Sequence, residues 1–426
     1  MVRELKHMEI GDIPVDWKLQ TFDETFRVIS NNTLSRENLN NRGGAVRNIH
    51  YGDILTKFPE VLDCNEEEIP YVNELSLLSS STQLLQDGDI VVADTAEDET
   101  VGKVIEVQNL GDSKLVAGLH TIPCRVKKGD FAPGWLGYYM NSDLFHNQIL
   151  PYITGIKVSS ISKGAISKTL ILVPPFDEQE KIVQSLNKIQ LLMTAETKVV
   201  NKIKLVKNGC LSKMFPQKDD TVPKMRLPGF TEAWEQRKLG ELAEIVGGGT
   251  PSTSVDSYWD GDIDWYAPAE IGEQIYLESS QRKITEEGLT KSSAKILPIG
   301  TVLFTSRAGI GKTAILLKEG CTNQGFQSIV PNKEKLDSYF IFTRSEELKR
   351  YGETVGAGST FVEVSGKQMA NMELMMPKTM PEQQQIGEYF ANLDHLITLH
   401  QCKCDKYSNI KKGMMSDLLT GKIRLV

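Results

Sequence analysis

A chain that repeats itself is tightly constrained, because whatever unit the first copy forms the second must form as well. Here Trp17-Lys-Leu-Gln-Thr-Phe22-Asp-Glu24, followed by Val28, returns as Trp234-Glu-Gln-Arg-Lys-Leu239-Gly-Glu241, followed by Ile245, at an offset of 217 (234 − 17). Farther on, Gly155-Ile-Lys-Val158-Ser-Ser-Ile161-Ser162 matches Gly358-Ser-Thr-Phe361-Val-Glu-Val364-Ser365 at an offset of 203 (358 − 155). Glu178-Gln179-x-x-Ile182 and Gly209-x-x-Ser212 then match Glu382-Gln383-x-x-Ile386 and Gly413-x-x-Ser416 at 204 (382 − 178). The two halves have similar ends and dissimilar middles. A structural duplication drifts everywhere alike, so this pattern predicts a kept frame that carries two different readers.

The frame is helical. Ile182, Leu186, Ile189, Met193, Glu196, Val200, Ile203, Lys207, Cys210 and Met214 alternate +4 and +3. Ile386, Phe390, Leu393, Ile397, His400, Cys404, Tyr407, Lys411, Met414 and Leu418 follow the same register. That spacing is a coiled-coil seam. Prolines precede both segments, in Val173-Pro174-Pro175 and Met376-Pro377, where they end a strand and open a helix. Each helix then runs about 57 Å at 1.5 Å per residue. A seam of that length packs only against a similar helix, and the duplicated chain supplies one, most simply antiparallel about a pseudo-twofold axis.

Both middles read as mixed α/β. Asp87-Gly-Asp-Ile-Val-Val-Ala93 and Ile299-Gly-Thr-Val-Leu-Phe-Thr305 predict a turn followed by a strand, and Val104-Ile-Glu-Val107 and Ala314-Ile-Leu-Leu317 predict the returning strands. Short helices are expected over 135–145 and 338–350. Gly247-Gly-Gly-Thr-Pro-Ser-Thr-Ser254 and Gly356-Ala-Gly-Ser-Thr-Phe361 suit close backbone approach to phosphates. Side chains able to read base edges or anchor phosphates sit on these loops. In the second half they are Arg282, Lys283, Ser306, Arg307, Lys312, Asn323, Gln324, Gln327, Ser359 and Thr360; in the first they are Lys103, His120, Lys157, Ser159 and Ser160, with Asp94 as a cytosine reader. Trp17, Trp234, Trp259 and Trp265 are expected in cores.

Several functions are disfavoured. A formal net charge of −8 argues against polycationic nucleic-acid binding, though not against a local basic groove. The six cysteines lack paired C-x-x-C knuckles and the six histidines lack metal spacing, so no metal site is expected. Arg307-Ala-Gly-Ile-Gly311-Lys312-Thr313 approaches a P-loop but has Ser306 where the first glycine belongs. Val173-Pro-Pro-Phe176 approaches a methyltransferase motif but lacks the preceding Asn, Asp or Ser, and reads as a strand-to-helix hinge. The N-terminus, Met1-Val-Arg-Glu-Leu-Lys-His7, is charged and lacks an apolar signal core, and no later run approaches the roughly 18 apolar residues of a span, so no membrane span is expected and a cytoplasmic location is.

Along nearly its whole length the chain resembles the specificity subunit of Type I restriction-modification systems. The resemblance rests on Ile13-Pro14-x-x-Trp17, Val222-Pro-Lys-Met-Arg-Leu-Pro-Gly-Phe230-x-x-x-Trp234, Gly248-Gly-Thr-Pro-Ser252, Tyr258-Trp-x-Gly-Asp-Ile263-x-Trp265, Pro174-x-x-x-Glu-Gln-x-x-Ile182 and Leu418-Leu-Thr-Gly-Lys-Ile423. It implies two target-recognition domains, residues 1–173 and 218–376 with the linker leading into the latter. Spacer helices at 174–217 and 377–426 would lie between them as an antiparallel coiled coil. It further implies double-stranded DNA as ligand, each domain binding half of a bipartite site, with two modification subunits docked on the helices and a motor-nuclease restriction subunit beyond. S-adenosylmethionine, ATP and Mg2+ would be used by those partners and none by this chain, which would have no catalytic centre. The first half departs from the pattern, with Ser30-Asn-Asn-Thr-Leu34 in place of the Gly-Gly-Thr-Pro-Ser loop.

Overall fold

The structure is a computed structural model that describes residues 5–8, 11–155, 157–217, 220–307, 309–356 and 363–426. It divides into two compact units, Met1–Glu196 with Lys403–Val426, and Thr197–Cys402. Each unit contains one mixed α/β reader and one half of each of two long helices, α1 (Phe176–Lys213, 38 residues) and α2 (Met380–Leu418, 39 residues).

In the first unit the strands β1 (Phe26–Val28), β2 (Val61–Asp63), β3 (Ile90–Ala93), β4 (Val104–Gln108) and β5 (Thr121–Val126) form one sheet in the order β1-β5-β3-β4-β2. In the second, β6 (Ala243–Gly247), β7 (Tyr276–Leu277), β8 (Val302–Phe304), β9 (Thr313–Leu316) and β10 (Gln327–Pro331) stand in the order β6-β10-β8-β9-β7. The topologies are the same. β3 and β8 are antiparallel to both neighbours, and the edge strands β2 and β7 are parallel to β4 and β9. A second small sheet accompanies each, pairing Arg47–Ile49 in parallel with Leu115–Ala117, and Trp259–Tyr266 in parallel with Cys321–Thr322.

The turn-then-strand and returning-strand segments expected from sequence are β3, β4, β8 and β9. Their unbroken apolar runs follow from burial on both faces. Ile90 and Val92 enter one core with Trp17 and Trp135, while Val91 and Ala93 enter another with Ile54 and Leu62. The second unit repeats this, with Val302 and Phe304 on one side and Leu303 on the other. Trp17, Trp234, Trp259 and Trp265 are all buried. Two expected helices are each broken in two: Trp135–Tyr139 and Asp143–Ile149, then Ser338–Thr343 and Ser345–Gly356. In the first case Ser142 caps a new start, its Oγ accepting from the Phe145 N–H.

The long helices are antiparallel within each unit. In the first, Lys411 donates to Gln190 at 2.8 Å, and Lys403 lies 3.6 Å from Glu196. In the second, Lys207 donates to Asp394 at 2.5 Å, and the Cys210 thiol lies 3.3 Å from the Tyr389 hydroxyl. Every seam residue named above is buried or half-buried. Lys207 and Lys411, equivalent in the repeat, also tie the helices to their readers. Lys411 reaches Glu60 at 2.5 Å, and the Asp394 that pairs Lys207 accepts from the Tyr339 hydroxyl at 2.9 Å.

The repeated Glu-Gln pair has a physical role. Glu178, buried at the start of α1, accepts from the Trp17 indole at 3.0 Å and from Arg424 at 2.6 and 2.7 Å. Glu382 accepts from the Trp234 indole at 3.1 Å and from Arg226 at 2.8 and 2.9 Å. Each carboxylate thus locks a reader's first tryptophan to one long helix and to an arginine beyond the end of the other. Gln179 and Gln383 each bond two backbone groups of their own reader.

Candidate nucleic-acid interface

In the first unit the candidates gather where β3 ends. Asp94 N–H donates to the His120 carbonyl at 3.1 Å, and the Asp94 carbonyl accepts from Ile161 N–H at 2.9 Å. Next along the chain, Thr95 is paired across an antiparallel bridge with Ser160, and Ala96 with Ser159. Asp94, His120, Ser159 and Ser160 are therefore brought together by backbone geometry. The His120 ring, on a left-handed residue (φ 55°), lies 3.4 Å from the Asp94 carboxylate and edge-on to Tyr51 at 5.2 Å. Lys157 is exposed two residues before this bridge.

The same junction recurs in the second unit where β8 ends. Ser306 N–H donates to the Gly325 carbonyl at 2.8 Å, and the Ser306 carbonyl accepts from Val364 N–H at 3.1 Å. Ser306 thus stands where Asp94 stands, Arg307 where Thr95 stands, and Glu363 where Ser160 stands. Arg307 forms an ion pair with Glu363 at 2.8 Å, both side chains part-exposed. Asn323 and Gln324 form the neighbouring turn. The Asn323 carboxamide oxygen accepts from Gly325 N–H at 2.8 Å, and the Gln324 oxygen accepts from the Thr250 hydroxyl at 2.5 Å. Gln327 starts β10 opposite Gly247, so the glycine loop, the 323–327 turn and the Arg307 turn share one end of the sheet.

Arg282 belongs to the small sheet. Its guanidinium lies over the Trp259 ring at 3.7 Å and remains exposed at its edge. Lys283 points to Asp264 at 3.4 Å. Burial works against the Asp264 carboxylate, but hydrogen bonds from Ser280 and the Lys283 charge hold its pKa below the usual carboxylate value.

Three sequence expectations need correcting. Ser306 is fully buried and its hydroxyl has no hydrogen-bond partner, so its side chain offers nothing to a ligand; its backbone builds the junction instead. Lys103 donates its ammonium to the carbonyls of Leu55 and Phe58, and burial lowers its pKa. It caps its own backbone, whereas Lys312, which likewise precedes the returning strand, is exposed. Gly248 and Gly249 serve the fold: a Cβ on Gly248 would fall 1.9 Å from the Asn323 carbonyl, and one on Gly249 2.3 Å from the Ser293 hydroxyl. The close backbone approach is to the chain itself. Ser359 and Thr360 lie outside the described residues. Thr95 and Glu363, which stand at the junction, were not among the sequence candidates. The 203 offset aligned Ser160 with Glu363, but no local motif marked either as a partner across the junction.

The P-loop-like segment leads into strand β9 at Thr313, where a nucleotide-binding lysine would open a helix. The Val173-Pro-Pro-Phe176 segment joins the strand Leu170–Val173 to α1 and acts as the hinge expected. Cys64, Cys124, Cys210 and Cys321 are buried; burial pushes the Cys64 thiol up to about 11 and those of Cys124 and Cys321 to about 12. Among the described residues no helix is long and apolar enough to cross a membrane.

A mixed α/β reader built twice on a repeated helical frame, with the same loop junction and different side chains in each copy, defines a two-headed recognition protein. The chain belongs to the Type I restriction modification DNA specificity domain family, whose model matches it twice, over residues 14–205 and 231–406. It is 26% identical, across 99% of its length and 96% of the relative's, to a protein of Methanocaldococcus jannaschii provisionally named the MjaX type I restriction enzyme specificity subunit. It is 36% identical to the MjaIX specificity subunit of the same organism over 167 residues, 38% of each chain. Among solved structures, the crystal structure of the S subunit of a type I restriction-modification system from M. genitalium shares the fold. Its TM-score is 0.60 at 13% identity, covering 98% of this chain and 99% of that one.

Proposed function

We propose that this chain is the non-catalytic DNA sequence-specificity subunit of a Type I restriction-modification complex, each unit binding one half of a bipartite double-stranded target. The observation that carries this reading is the junction of Asp94, Thr95, His120 and Ser160 rebuilt with Ser306, Arg307, Gly325 and Glu363. One scaffold presents two different sets of hydrogen-bonding groups, as a protein reading two different half-sites requires. The long helices set the spacing of the half-sites. S-adenosylmethionine, ATP and Mg2+ are used by the modification and restriction subunits, none by this chain, and the complex works in the cytoplasm.

Two modification subunits fit the helices. Leu192 and Ile410 in the first unit are 44% and 39% exposed; their repeat equivalents Leu396 and Val206, in the second, are 40% and 45% exposed. Single exposed apolar residues are ordinary. The recurrence of the same pair at an offset of 204 (396 − 192, 410 − 206) supports two equal docking places for an amphipathic partner helix. Native mass spectrometry of the co-expressed complex should give two modification subunits per chain, and Leu192→Glu with Ile410→Glu should leave one. One copy in the unaltered complex, or two in the variant, contradicts this stoichiometry.

The acidic net charge makes the lone chain a poor DNA binder, since phosphate neutralisation supplies much of such affinity. A gel-shift titration should show weak binding by the chain alone and tight, salt-sensitive binding with modification subunits. Equal affinity in both states argues against the assignment.

A further inference from the structure

We infer that Glu363 is a positioning residue for Arg307, and that the pair reads a guanine in the half-site bound by the second unit. This rests on the reading of that unit as a DNA-recognition domain. The junction fixes where the pair stands: Arg307 follows the buried Ser306, whose backbone is bonded on both sides, to Gly325 and to Val364. Glu363 immediately precedes Val364, so carboxylate and guanidinium leave a doubly anchored point and meet at 2.8 Å. The arginine side chain is still 46% exposed. One Nη2 nitrogen lies against the carboxylate, and the rest of the fork remains for two acceptors side by side. Guanine N7 and O6 present that pattern in the major groove. A free arginine spends rotamer entropy on binding and serves equally well as a phosphate anchor. A carboxylate beside it cancels most of its pull on phosphates and leaves its direction, so the pair is built for reading a base edge.

The first unit supports this by contrast. At the same two places it has Thr95 and Ser160, bridged by backbone and carrying only hydroxyls. Both halves keep the junction, and the arginine fork is confined to one. The bases read at this point therefore differ between half-sites.

The test is the methylated motif written by the complete complex, compared for the unaltered chain, Arg307→Ala, Glu363→Gln and Glu363→Asp. The unaltered chain should give a two-part motif; its absence would overturn the DNA-recognition reading itself, upstream of this pair. Given that motif, Arg307→Ala and Glu363→Gln should relax the same single guanine position in the same half. Discrimination there should fall roughly ten- to hundredfold. The other half should stay intact, and Glu363→Asp should partly restore the preference. Glu363→Gln also removes a negative charge facing DNA, so overall affinity should hold or rise while discrimination falls. Structural damage would lower both. The inference is overturned if Glu363→Gln leaves the motif unchanged, if it weakens methylation evenly at all positions, or if Arg307→Ala relaxes a position specified as another base.

Discussion

His50 illustrates how a single polar residue is bound up with the stability of the first reader. It is 7% exposed and caps the helix Tyr51–Thr56, its Nδ1 accepting from Gly52 N–H at 3.1 Å. Burial, then the nearby Arg36 charge, lowers its pKa and keeps the imidazole neutral. An unfolded chain titrates its histidines near pH 6.5. Below that value the unfolded state takes up a proton that the folded state resists, so this residue's contribution to stability is present above about pH 6.5 and is lost as pH falls. His50→Asn keeps a capping acceptor and removes the titration. Its melting temperature should fall less steeply than the unaltered chain's between pH 6.5 and 5; parallel curves would contradict this account of His50. Lys103 and Ser306 mark the limit of sequence at this scale. A lysine before a strand reads the same whether it faces solvent or its own backbone carbonyls, and a serine after a strand reads the same whether its hydroxyl or only its backbone is used.

The long helices were legible because an apolar seam and flanking prolines specify them locally. What sequence did not reveal was how each helix is secured. The Glu-Gln motif appeared only as a repeat, because its partners, Trp17 and Arg424 for Glu178, are distant in the chain. Removing Glu178 strips the buried Trp17 indole of its acceptor and leaves Arg424 only the part-exposed Asp16, at 2.7 and 3.0 Å, at a cost of about 3 kcal/mol. Glu178→Ala should therefore destabilise the first unit by that order in urea unfolding. Glu382→Ala should act likewise on the second, leaving Trp234 without its acceptor and Arg226 with the Glu232 carbonyl alone. A loss below about 1 kcal/mol for both would show that these contacts contribute little. The strands β3, β4, β8 and β9 were legible from their runs and turns. The glycine loop was expected to admit phosphates, whereas at Gly248 and Gly249 the atoms that approach are the chain's own.

For the whole molecule, the repeat carried most of what could be known beforehand. A frame repeated at both ends of each half, around divergent middles, is realised as one sheet order built twice, each copy joined to halves of both long helices. Which loop residues face one another was not legible, because the junction joins segments up to 67 residues apart (161 − 94) through backbone bonds that impose no side-chain pattern. The central claim is that two unlike heads each read their own half-site. Methylome sequencing of cells expressing this chain with its modification subunit tests it directly. The account predicts a methylated motif of two specified parts separated by an unspecified spacer of fixed length, one part changing and the other persisting when residues 218–376 are exchanged for those of a relative. A single uninterrupted motif, or a change in both parts after that exchange, would contradict it.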